Sequence, residues 1–176
     1  QRIGPDAGSG ASNLAAALSD SDPEYRREVL FVLGALGPNA APVVNAIVAR
    51  LNDPDMRLRY AACFALGRIG PAARPAVEVL KSELASKDPF MPVAAAWALA
   101  KILPGDPQIL STAVPVMSAA LANLAEMPKL EVIRSLCELG AAAKQAVPAL
   151  KAALDDPSQE IRDAAREALE QITSAK

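Results

Sequence analysis

Residues 51–84 read LNDPDMRLRYAACFALGRIGPAARPAVEVLKSEL, and shifted copies of this stretch account for most of the chain. It reads as two antiparallel helices. In the first, Leu58, Ala61, Ala62, Ala65, Leu66 and Ile69 recur at the three-and-four spacing of a helix with one buried stripe. Asp53-Pro54 supplies its start, an aspartate to accept from first-turn amides and a proline where an N–H would go unused. Gly70-Pro71 supplies its end, because glycine tolerates the left-handed terminating conformation and proline cannot continue a helix. A second helix, opened by Pro71, is expected to bury Ala73, Val77, Leu80 and Leu84.

The repeat can be followed in independent columns. A leucine closing each second helix recurs as Leu18, Leu51, Leu84, Leu121 and Leu154, at steps of 33, 33, 37 and 33. A leucine in the last turn of each first helix recurs as Leu33, Leu66, Leu99, Leu136 and Leu169 with the same steps. The longer step reflects four extra residues near Gly105-Asp106-Pro107, after which AVPVMSAAL at 113–121 realigns with AVPALKAAL at 146–154.

The expected organisation is one repeat array over 1–176: a half repeat 1–20, repeats 21–52, 53–85, 86–122 and 123–155, and a terminal half repeat 156–176. Arg2-Ile3-Gly4-Pro5 repeats Arg68-Ile69-Gly70-Pro71, so the chain reads as part of a longer, bacterial protein that opens in mid-repeat. Gly8 and Gly10 weaken the helix expected after Pro5, each by roughly 1 kcal/mol against alanine. The third repeat departs most, with Pro92 where Arg26, Arg59 and Arg162 stand elsewhere and Lys129 in that column of the fourth.

Composition narrows function. The 176 residues are 52% hydrophobic but only 3% aromatic, so the core is built from alanine, leucine and valine. Net charge is -2 with mixed signs along the helices, and no one-sign basic stripe suits a nucleic-acid phosphate backbone. No apolar run approaching the roughly 20 residues of a spanning helix is expected, hence no membrane insertion. Cys63 and Cys137 lie two repeats apart, beyond disulfide reach, and nothing demands an oxidising compartment, which favours the cytoplasm. Cys137 shares a column with Gly34, Gly67 and Ala100, which marks it as a small packing residue.

The acidic-Pro opening, the arginine, the AACFALGRIG run and the GPAARPAVEVLKSEL second helix resemble the short HEAT-like repeat first associated with phycobilisome lyases, over about residues 2–172. The resemblance implies an all-α fold, a right-handed α-α superhelix of about five stacked hairpins, with first helices convex and second helices concave. It also implies a ladder between neighbouring repeats from the turn acids Asp20, Asp53 and Asp156 to the basic residues Arg26, Arg59 and Arg162, interrupted where Ser86 and Pro92 replace the pair.

Chemistry is sparse. The chain has no histidine, which removes the commonest general base and metal ligand. The His-Glu pairs of the family's di-iron hydroxylase are therefore missing, and no metal or cofactor is expected. The basic, aromatic groove of HEAT-like DNA glycosylases is missing too, since the single Trp97 falls in the packing column of Phe31 and Phe64. What remains is recognition of another protein or peptide by a non-enzymatic scaffold. The positions facing away from the second helices' buried stripe are the candidates: Asn45, Ala49, Glu78, Val79, Ser82, Val116 and Ala149. Self-association through uncapped ends is a further expectation, and a bilin-lyase-like subunit acting on a tetrapyrrole with a second protein is the alternative.

Overall fold

In the computed structural model, which describes residues 6–174, every regular element is helical among the described residues. The helices are α1 (Asp6–Ala17), α2 (Pro23–Leu36), α3 (Val44–Ala49), α4 (Met56–Ile69), α5 (Val77–Glu83), α6 (Met91–Ile102), α7 (Pro107–Ala120), α8 (Glu126–Leu139), α9 (Val147–Ala152) and α10 (Gln159–Ser174). They alternate as first-type helices (α2, α4, α6, α8, α10) and second-type helices, so the protein is an all-α solenoid. The Arg2-Ile3-Gly4-Pro5 motif lies outside the described residues.

The chain packs as two compact units, divided between Leu103 and Pro104. In the first, α4 lies between α2 and α6, while α1, α3 and α5 form a second row with their 3-10 segments. Leu33, Leu66 and Leu99 fill the seam, each at most 1% exposed, beside Ile47, Leu51, Leu80 and Met91. In the second unit, α8 packs on α10, and α7 packs on the 3-10 segment that leads into α9. Its core is Ile133, Leu136, Leu150, Ile161 and Ile172.

The structure changes three details of the reading. The second-type helices α3, α5 and α9 do not begin directly after the glycine turn; 3-10 segments Gly37–Val43, Gly70–Ala76 and Gly140–Ala146 intervene. Gly37, Gly70 and Gly140 have φ of 56°, 69° and 52°, a conformation glycine adopts at little cost, and they turn the chain directly into these segments. The shorter α5 then buries Leu80 while Val77 and Leu84 are half-buried, and Ala76 takes the inward place expected of Val77. The first-type helix α4 also starts two residues late, because its cap is Asp55, accepting from Arg57 N at 2.9 Å, whereas Asp53 Oδ1 accepts from Asp55 N at 3.0 Å. Asp20 and Asp22 repeat this arrangement before α2.

The third difference concerns the membrane. Residues 23–52 are, by length and composition, one helical stretch apolar enough to cross a bilayer, contrary to the expectation that none would be. Gly37 turns the chain within it and Pro42 follows in the 3-10 segment, so the stretch is α2 and α3 of one hairpin, with Leu30, Leu33, Val44 and Ile47 buried against neighbours.

Candidate binding face

The second-type helices bury one stripe and present the other. On α3, Val44 and Ile47 are buried while Asn45 and Ala49 are exposed; on α5, Leu80 is buried while Glu78 and Ser82 are exposed and Val79 is half-buried. The helices carry few side chains reaching outward. Glu78 is engaged by Lys81 Nζ at 2.8 Å, and the Ser82 hydroxyl donates to the Val79 carbonyl at 2.7 Å, which turns it back onto its own helix. In the other unit Val116 on α7 and Ala149 on α9 are half-buried above Met117 and Leu150. In each unit the outward positions form a ridge of mostly small side chains.

The ladder residues make specific contacts. Arg26 Nη2 approaches Asp53 Oδ2 at 3.8 Å across the repeat junction, Arg50 Nη1 joins at 3.7 Å, and Asp53 is 9% exposed. Arg26 also donates to the Asp20 carbonyl at 2.8 Å. Arg59 finds no acid at Ser86 and pairs instead with Glu83 at 2.7 Å. Asp156 receives Lys129 Nζ at 2.7 Å, and Arg162 donates to the Asp156 carbonyl at 2.5 Å. Asp20 uses its carboxylate on Asp22 N at 2.8 Å, and its contact with Arg26 is through the carbonyl. The hydrogen bond from Lys129, then that from Ser158 N, holds the Asp156 carboxyl below the usual carboxylate range.

Two features were not read from the sequence. Phe31, Phe64 and Trp97 form a continuous aromatic row: Phe31 meets Phe64 edge-on at 5.7 Å and Phe64 stacks on Trp97 at 5.5 Å. Their shared column was visible, but their mutual orientation required the packed helices. The other is a groove of about 460 Å³ between α8 and α10, lined by Arg134, Cys137, Glu138, Glu160, Asp163 and Glu167. It lies on first-type helices, away from the ridge. Burial, aided by Glu167 and Glu138, raises the Cys137 thiol pKa, and burial pushes Cys63 up to about 12, so neither is a ready nucleophile. Hydrogen bonds from Gln159 and Arg166 depress Asp163, the opposite of what a carboxyl general acid needs. Among the described residues no cluster of three or more potential ligands is arranged to hold a metal ion.

Family models for HEAT repeats match residues 11–100 and 44–126, and a further HEAT repeat matches 146–175. The chain belongs to the HEAT-repeat family. The PBS lyase HEAT-like repeat matches this HEAT chain at 128–156. A search of curated proteins returned no sequence match. Among solved structures it is similar to an engineered protein of the Northeast Structural Genomics Consortium, with 26% identity, coverage of 94% of this chain and 80% of that one, and TM-score 0.65. It is also similar to the complex of CpcE and CpcF of phycocyanin lyase from Nostoc sp. PCC7120, with 25% identity, 93% and 65% coverage, and TM-score 0.64; the HEAT chain thus spans just under two thirds of that chain's length. Computationally designed armadillo repeat proteins for modular peptide recognition share the fold at 16% identity, 93% and 82% coverage, and TM-score 0.59.

Proposed function

We propose that this HEAT-repeat chain is a non-enzymatic scaffold that binds another protein or peptide along its second-type helices, using Asn45, Ala49, Glu78, Val79 and Ser82 in one unit and Val116 and Ala149 in the other. The observation that carries the reading is the ridge itself: small side chains let a partner backbone approach closely, and Val79 and Val116 keep half-exposed apolar surface that a partner can cover. The two thiols have raised pKa values, so neither supports a competing nucleophilic function. A pull-down from the source cells with the wild-type chain and with Val79→Glu plus Val116→Glu tests it: partners recovered by the wild type are lost from the double variant. If every recovered partner persists, the ridge is not the binding face.

The similarity to the phycocyanin lyase complex favours a second reading, a subunit that acts on a tetrapyrrole together with another protein. Titrating the chain with a free bilin and following visible absorbance separates the two, since a red-shifted, saturable band supports the lyase-like reading and an unchanged spectrum supports the scaffold.

A further inference from the structure

The groove between α8 and α10 has counterparts in the first unit that are filled. There, a Cβ built on Gly34 of α2 would lie 3.6 Å from the Phe64 ring of α4, and one built on Gly67 of α4 only 2.2 Å from the Trp97 ring of α6. Each ring closes over the small residue of the preceding first-type helix. Two repeat columns describe that closure: the small column runs Gly34, Gly67, Ala100 and Cys137, and the ring column runs Phe31, Phe64, Trp97, Arg134 and Glu167. Between α8 and α10 the pair equivalent to Gly67 and Trp97 is therefore Cys137 and Glu167, and where an indole is buried in the first unit an open space of about 460 Å³ remains. Both walls of that space are helices of this chain, so its openness comes from the side chains at these two columns.

Shape and charge point to one occupant. Cys137 and Ala164 are half-buried and floor the groove, while the charged side chains around them are exposed. At the rim Arg134 pairs with Glu160 at 3.0 Å, and Arg166 holds Asp163 at 2.6 Å. The field at the floor is nonetheless negative, since Glu167 and then Glu138 add to burial in raising the Cys137 thiol pKa. A partner's aromatic ring would fill such a space but strip water from Glu167 without pairing it. A guanidinium is equally flat, aims in-plane N–H donors at a carboxylate, and rides on an aliphatic stem that the floor can cover. We propose that the α8–α10 groove is a docking site for an arginine side chain of a partner protein, its stem over Cys137 and Ala164 and its guanidinium against Glu167. This site lies on first-type helices and does not rest on the second-type ridge.

The probe is the tripeptide acetyl-Ala-Arg-Ala-amide, titrated at millimolar concentration into the isotope-labelled full chain and followed by backbone amide chemical shifts, with lysine and citrulline counterparts alongside. Saturable shifts centred on Cys137, Ala164 and Glu167 are expected, weaker by about 3-fold for lysine, which lacks the planar fork, and lost for citrulline, which keeps the shape without the charge. Glu167→Gln, isosteric at an exposed position, is expected to weaken arginine binding about 5-fold. Cys137→Gly together with Glu167→Trp rebuilds the Gly67 and Trp97 pair of the first unit, and should abolish binding while the helical dichroism spectrum is kept. Should that variant not fold, Glu167→Gln alone decides. The proposal is overturned if the arginine tripeptide gives no saturable shifts in the groove, if citrulline binds as well, if Glu167→Gln leaves the affinity unchanged, or if the refilled, folded variant still binds. It is equally overturned if light scattering shows a wild-type dimer that Glu167→Gln dissociates, which would make a second copy the occupant.

Discussion

The chain passes from α4 to α5 through Gly70 at φ 69° and a 3-10 segment ending at Ala76, whereas it passes from α6 through Leu103, Pro104 and Gly105 to an uninterrupted 14-residue α7. The difference starts with the order of two residues. With glycine before proline, the left-handed turn falls at the helix end and the next helix follows at once. With leucine before proline, Leu103 is driven out of the α region, to φ -129° and ψ 60°, and the chain needs a loop and a fresh cap. Asp106 provides that cap, accepting from Gln108 N at 2.9 Å and Ile109 N at 3.1 Å. The four inserted residues thus replace a sharp, glycine-dependent turn by a longer, capped one.

The largest effect that would sharpen this comparison lies just before the turn. Gly67 faces Trp97 with no room for a methyl, while Ala100, in the same column of the third hairpin, is accommodated at 1% exposure. Gly67→Ala is expected to destabilise by ~3 kcal/mol in urea unfolding, as overpacking of a filled core does, and Trp97→Leu in the same chain should recover much of it. At the turn itself, Gly70→Ala forces a side chain into positive φ and should cost about 1–2 kcal/mol. Gly105→Ala, whose new methyl meets nothing within 4 Å, should stay within about 0.5 kcal/mol. If the two substitutions cost the same, the two turns do not differ in the way described. Asp106→Ala removes the cap peculiar to the third hairpin and should cost about 1 kcal/mol, read by the same unfolding midpoint.

The smallest expected effect concerns the rungs. Asp156 has a folded pKa below its unfolded value, so its contribution to stability is present above the unfolded carboxylate pKa near 4 and fades as pH falls through the folded one. Lys129→Met should therefore narrow the difference in melting temperature between pH 6 and pH 3. Asp88 shows the same direction for a different balance. Burial pushes its carboxyl up, but hydrogen bonds from the Tyr60 hydroxyl and the Phe90 and Met91 amides outweigh it. Burial and the bond to Asp88 in turn raise Tyr60 to about 12, which keeps the phenol a donor.

The fold was legible because repetition turns weak local signals into columns: Leu33, Leu66, Leu99 and Leu136 share one role, and each is at most 1% exposed. The candidate face was legible only as exposure, since Asn45, Ala49, Glu78 and Ser82 follow from helical periodicity once the buried stripe is known. The groove beside Cys137 left no linear mark, because α8 and α10 bring together residues up to 33 positions apart in sequence, from Arg134 to Glu167.

Repeat length and the inward stripe of the first-type helices were determined by the sequence alone, because these depend on residues three or four apart on one helix. Tertiary structure decided where Arg59 turned once Ser86 offered no acid, how Phe64 stacked on Trp97, and why Gly67 must be glycine. Those outcomes depend on distances between helices, which no single repeat contains.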